Sequence, residues 1–351
     1  MIKPTLWAGL ALAMVTGWAV LEYLVWGMPV LPNKPPGQDL YAFLRSAVMA
    51  LIGFAGVIAM ARSGARPRPQ NALSSRQWGA VLISFLMLMF FVMVFVLSPV
   101  AFNAFSLEDK SVEWASAMLP IAASLLLAWR GAALLIGQGQ KGLRPGVVLL
   151  LCATVLFVLG MEEISWMQRV FGIATPDALK SNIQGEINFH NFATNQIGAA
   201  HKLVGFIVLV LLPFLIIVVP ERLPFRELVP SRAVALASAP LAAFNYNGWD
   251  SLFFQATTYL TLAIVLYFAL LGARERRHGE AMFCLLLAAS IAGAQGLFLA
   301  QGDRFVRIWD VTEYKELFIA FGLFVWAVET FRRLAVPVPD EATALSRSIR
   351  A

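Results

Sequence analysis

Charge is what this chain lacks. Asp, Glu, Lys and Arg make up only 14% of its 351 residues, against about 25% in soluble domains, which excludes an ordinary water-soluble globular enzyme. Cysteine is scarce too. Cys152 and Cys284 lie far apart in apolar runs and form no CxxC pair, so neither a disulfide framework nor a thiolate metal site is expected. Histidine is also rare, with no midplane pair of the kind that ligates haem. The chain carries no HExxH, no phosphate-cradling GxxxxGK[ST], no GxSxG elbow, and no GxGxxG set between a strand and a helix.

What is present is hydrophobic length. Apolar residues reach 59% of the chain, the mean hydropathy is +0.73, and the apolar residues arrive in blocks of about twenty, enough to cross a bilayer core. A backbone in lipid must satisfy its own hydrogen bonds, so the fold class expected is all-α, a polytopic helical membrane bundle. Ten spans are predicted, at about 6–31, 41–61, 78–100, 114–136, 146–167, 197–219, 233–248, 256–272, 281–301 and 316–335. The first is longer than a signal-peptide core and lacks a small-x-small cleavage site, so it is taken as a retained anchor. Residues 1–335 form a single membrane domain with a polar segment at 162–196, and 336–351 are expected to be a disordered cytoplasmic tail.

Both termini are placed in the cytoplasm. That choice puts 18 of the 27 basic residues inside and 14 of the 21 acidic residues outside, as the positive-inside rule requires of the basic ones. The net charge of +6 therefore reports topology and gives no reason to expect a nucleic-acid partner. The implied location is a bacterial cytoplasmic (inner) membrane, with membrane lipid as the surrounding partner.

Ionisable residues near membrane spans are costly and point to function. Glu22, Glu162, Glu163, His201, Lys202, Asp250, Asp303, Asp310, Glu313 and Glu316 all fall toward the outer side of the predicted topology, so any site opens outward. The densest stretch is Glu162-Glu163-Ile164-Ser165-Trp166-Met167-Gln168-Arg169. Continued as a helix, it places Glu162, Trp166 and Arg169 on one stripe. Its ordinary explanation is a Glu162–Arg169 pair with Glu163 facing water.

The stretch Asn182 to Asn191 alternates, with Gln184, Glu186, Asn188 and His190 on one side and Ile183, Ile187 and Phe189 on the other. It is expected to fold back on the bundle with Ile183, Ile187 and Phe189 buried. An ordinary interfacial segment explains the same pattern. His201 beside Lys202 fits an interfacial position. Asp310, Glu313 and Glu316 are equally well explained as a solvated cap on the last span, Asp303 and Arg307 as an i, i+4 ion pair, and Glu329 by Arg332 and Arg333.

The pattern EExSWxQR, then NxQxExNxHN, over residues 161–192 resembles a family of bacterial multi-pass membrane proteins that has no assigned activity. Met167 stands where that family has glycine and Phe189 where it has leucine. The paired glutamates differ from the EExxxR motif of intramembrane CAAX-type proteases, since Arg169 comes two positions too late.

Two functions are weighed. The first is a metal-dependent hydrolase or transferase acting on a lipid or lipid-linked substrate. Glu162, Glu163, Glu186 and His190 would be its catalytic groups, and Glu163, Glu186 and His190 the ligands of a divalent metal such as zinc. Arg169, Gln184, Asn188 and Asn191 would bind substrate. The second is a transporter or channel-like protein using the same acids for a cation or proton, with Pro240 and Gly248 interrupting one span and Ser290, Gly293, Gln295 and Gly296 softening another. A non-catalytic envelope-assembly subunit is the remaining alternative.

Overall fold

The fold was obtained as a computed structural model that describes residues 4–32, 34–63, 71–181, 185–219 and 228–335. The described residues are helical, with no strand among them. Eight helices are long and apolar enough to cross a membrane. They are α1 (Pro4–Trp26), α2 (Leu40–Ser63), α3 (Ser75–Leu97), α5 (Ser111–Gly137), α6 (Gly139–Glu163), α7 (Thr194–Val218), α9 (Leu252–Arg274) and α10 (His278–Ala300). A seven-residue helix, α4 (Pro99–Phe105), follows α3. Two further elements, α8 (Arg232–Ala243) and α11 (Asp310–Arg333), complete the bundle. The class is a polytopic helical membrane protein.

α11 is 24 residues long, roughly 36 Å at 1.5 Å per residue, but Asp310, Glu313, Lys315 and Glu316 in its first two turns interrupt its apolar character. α8 is different. At twelve residues it spans only about 18 Å, half of what a bilayer requires. It ends as a 3-10 turn over Ala239–Ala243, where Pro240 offers no amide hydrogen. Irregular backbone is tolerated at membrane depth only inside protein, and residues 232–246 are all buried. Hydroxyls supply the missing donors: Ser84 Oγ donates to the Ala237 carbonyl at 2.5 Å and Thr258 Oγ1 to the Ala242 carbonyl at 3.3 Å.

Contacts fix which helix ends lie together. At one end, Leu73 N and Arg232 bind Glu280, and Gln77 and Ser231 bind Glu329. At the other, Arg45 joins Glu22 to Asp250, Asn103 binds Asp310, and Arg169 reaches Glu108 and Asp109. These are called the basic and acidic ends below. The acids Glu22, Glu162, Glu163, Asp250, Asp310 and Glu316, which sequence placed toward one side, gather at the second of these ends. One local pairing differs from expectation, and one keeps its i, i+4 partner Arg333 and gains others. Arg307 bonds Asp310 at 2.8 Å in place of Asp303, because the chain turns at 301–309 before α11 starts. Glu329 is held by Gln77, Ser231 and Arg333 at 2.9, 2.9 and 3.8 Å.

The core beneath the acidic end is aromatic. Phe95, Phe102, Phe244, Phe298, Phe318 and Tyr314 are fully buried and mutually in ring contact. α5 and α6 approach through glycine. An ideal Cβ on Gly160 would lie 2.7 Å from the Ala117 carbonyl oxygen, and one on Gly131 would lie 2.9 Å from the Gly146 carbonyl oxygen. Lipid gives no hydrophobic reason for helices to associate, so close backbone approach must supply the attraction. Gly160→Val is expected to destabilise the fold by about 1–3 kcal/mol, the cost of overpacking a tight core. Thermal unfolding in detergent checks it, with Gly9→Val, which meets open space, as the unaffected control.

Candidate functional site

α6 ends at Glu163, and a continued helix does not follow. Ser165, Trp166 and Met167 take φ of 45°, 56° and 62°, three successive left-handed residues without a glycine among them. Such a conformation costs about 1–2 kcal/mol per residue, so surrounding bonds must hold it. They do. Trp166 Nε1 donates to Glu162 Oε1 at 2.7 Å, and Ser165 Oγ donates to Glu186 Oε2 at 2.6 Å. The sharp turn explains why the predicted stripe fails: Trp166 still meets Glu162, but Arg169 is carried to Glu186, Glu108 and Asp109.

The two sequence motifs come together as a lock. Glu162 Oε2 accepts the Phe189 amide at 2.7 Å, Gln168 Oε1 accepts the Ile187 amide at 2.6 Å, and Asn188 Nδ2 donates to Ser165 and Glu186 at 3.1 Å each. Thr175, bonded by Gln168 Nε2, donates to the Gly185 carbonyl. Burial lowers the affinity of the Arg169 guanidinium for its proton, but the hydrogen bonds it donates to Asp109 and Glu108 and the charge of Glu186 outweigh that and hold it above its ordinary value. Arg169 is therefore a fixed cation.

The segment does fold back, with its polarity inverted from the expectation. Glu186, Asn188 and Asn191 are buried, whereas Phe189 is 65% exposed and Ile187 half-buried. In a membrane the polar groups need protein partners and the apolar face is tolerated by lipid, which reverses the rule for water. Asn182, Ile183 and Gln184 lie outside the described residues, as does the side chain of His190, whose backbone forms a 3-10 turn.

Glu162 and Glu163 part company. Glu163 leaves the lock and enters the bundle, where it shares a narrow cavity with Ser116, Pro120, His201 and Glu316. Glu313, Glu113 and Lys202 are close enough to act on its charge. Lys202 pairs with Glu316 at 3.3 Å. Pro120 has no amide hydrogen, so the Ser116 carbonyl beside this cavity lacks its helical donor. Among the described residues Glu163 and Glu313 make no hydrogen bond or ion pair.

Several expectations are corrected here. His201 and Lys202 are half-buried, with His201 beside Glu163 and Lys202 paired to Glu316. The acids of α11 are not a solvated cap: Asp310 is fully buried under Asn103, Ser106 and Arg307, and Glu313 and Glu316 join Glu163. Tertiary packing decided this, since four helices converge on the first two turns of α11. Of the proposed metal ligands, Glu163 and Glu186 lie in different surroundings, and the side chain of the third, His190, lies outside the described residues. Glu186 is bound by Arg169, Ser165 and Asn188, while Glu163 goes elsewhere, and no three His, Cys, Asp or Glu side chains among the described residues lie together as a metal set. The arrangement gathers carboxylates beside one ammonium and one imidazole.

Sequence inspection missed Lys315, the i+5 neighbour of Asp310, and Arg45, the partner of two acids. Their signal was present, as single cations inside or beside apolar runs. No protein family, curated protein or solved structure matches the chain.

Proposed function

We propose that this protein is a proton-coupled transport protein of the bacterial inner membrane, with both termini and the basic end in the cytoplasm and the acidic end outward. The observation that carries this reading is the cluster of Glu163, Glu313 and Glu316 with Lys202 and His201, gathered between α5, α6, α7 and α11. Several carboxylates sharing one cation in a low-dielectric space cannot all be ionised cheaply, so they share protons instead. The broken helix α8 supports it, because discontinuous helices are a recurring way to place backbone polarity at membrane depth.

The test needs no knowledge of the transported solute. Proteoliposomes adsorbed to a solid-supported membrane are given a fast pH jump. The wild-type protein should produce a transient charge displacement, and Glu163→Gln and Glu316→Gln should each reduce it several-fold. Undiminished currents in both variants would overturn the proposal.

One observation favours a second reading, an enzyme acting on a lipid or lipid-linked substrate at the outer face. It is the strained Ser165–Met167 turn, which holds Ser165 against Glu186 beside Arg169 and Asn188. Strain of this kind gathers at functional sites. In that reading Arg169 and Asn188 orient the substrate, and Glu186 serves as the acid or base.

A further inference from the structure

On the other flank of α11 from Glu316, next to the end of the broken helix, lies a second polar cluster. Lys315 is 2% exposed. Its ammonium donates to Asn245 Oδ1 and sits 4.3 Å from the centroid of the Phe254 ring, and no carboxylate among the described residues pairs with it. The C-terminal end of α8, two residues before Asn245, offers the partial negative charge of its last carbonyls. That orients the amine, and a charge buried there without a carboxylate bonded to it is expensive.

The neighbours of Asn245 accept its hydrogen bonds. Its backbone amide is accepted by Gln295 Oε1 at 3.0 Å, which leaves Gln295 Nε2 buried without an acceptor. Its Nδ2 donates to Thr258 Oγ1 at 2.6 Å. Gln255, on the same turn of α9 as Phe254 and Thr258, is fully buried with both Nε2 and Oε1 unpartnered. A buried unsatisfied amide is costly, and three such atoms on Gln255 and Gln295, the first next to Phe254 in sequence and the second bonded to Asn245, depart from the usual rule. The surplus has a definite sign. It comprises an ammonium and two amide N–H groups seeking acceptors, and a single amide oxygen seeking a donor.

We infer that Lys315, Asn245, Gln255 and Gln295 form the solute site of the transporter proposed above, and that the solute is a small monocarboxylate bearing a hydroxyl or amino group. The ammonium neutralises one negative charge, which limits the ligand to a monoanion or a zwitterion. The two amide N–H groups complement the two carboxylate oxygens, and Gln255 Oε1 takes the hydroxyl or amine. Lys315 and Glu316 are adjacent on α11, so solute and proton would occupy the two faces of a single helix, and movement of α11 would couple them.

The purified full-length protein in nanodiscs is tested by thermal unfolding with L-lactate, L-alanine, acetate, chloride and phosphate as separate probes. Lactate or alanine should raise the unfolding midpoint at millimolar concentration, acetate less, and chloride and phosphate not at all. Lys315→Met and Gln255→Leu should each abolish the ligand-dependent shift. Gln255→Leu guards against loss of folding in the lysine variant, since it fills the same volume with an apolar group. The inference is overturned if neither lactate nor alanine shifts the wild-type protein, if chloride or phosphate matches them, or if both variants retain the shift. The binding readout does not involve proton movement. A pH-jump current that survives while binding fails condemns this site alone, and the reverse result condemns the coupling cluster alone.

Discussion

Arg45→Met is expected to destabilise the protein by about 3–5 kcal/mol, the usual result of removing one partner from a buried ion pair. Arg45 Nε lies 2.7 Å from Glu22 Oε1, its Nη2 donates to Glu22 Oε2 at 2.8 Å and to the Asp250 carbonyl, and its Nη1 lies 3.9 Å from Asp250 Oδ1. The side chains of Arg45, Glu22 and Asp250 are only 7%, 4% and 10% exposed. The guanidinium thus ties α1, α2 and the chain leading into α9 at one point, and its loss leaves two buried carboxylates without a cation. The double variant Arg45→Met/Glu22→Gln should recover part of the loss, because it removes one uncompensated charge along with its partner. Thermal unfolding of the three proteins in one detergent measures both effects. A double variant no more stable than Arg45→Met would show that the arginine acts through packing and not through charge.

The second large effect separates two adjacent glutamates. Glu162→Gln should loosen the lock and leave proton movement largely intact, whereas Glu163→Gln should do the opposite. Glu162 accepts from Trp166 Nε1 and from the Phe189 amide, so the amide variant keeps shape but weakens both charge-assisted bonds. Cleavage within 170–190 by added protease should then accelerate several-fold. Glu163 makes no such bonds and sits among Glu316, Glu313 and Glu113. Neutralising it removes like-charge repulsion, so the unfolding midpoint should stay equal or rise while the pH-jump current falls. If Glu163→Gln accelerated proteolysis and spared the current, the roles assigned to the pair would be exchanged.

The membrane class and the gathering of acids at one end were legible in the sequence, because both depend on quantities carried by single segments. A run of twenty apolar residues must span, and a charge next to it falls at a boundary whatever its neighbours. The coupling of 162–169 to 185–191 was also visible as two polar stretches beside a span. Which side chains meet was not. The left-handed turn at 165–167 has no glycine to announce it and exists only because Glu186 and Glu162 hold it.

The destinations of the charged side chains were likewise set by the assembled bundle. Whether Glu163 faces water or Glu316 depends on how α5, α6 and α11 pack together, and the close approach of α5 to α6 follows from Gly131, Gly146 and Gly160 meeting backbone on the facing helix. The inward polarity of Glu186, Asn188 and Asn191 inverted a periodicity that was itself correct, since alternation gives the period of a segment but not the solvent on either side. The half-helix α8 has the composition of a span, yet it stops at Ala243 because Ser84 and Thr258, on two different helices, replace bonds its backbone gives up. Composition and periodicity act within a segment and fixed the class of protein and its two ends. The pairing of charges needed several segments in one place, and only the tertiary structure decided it.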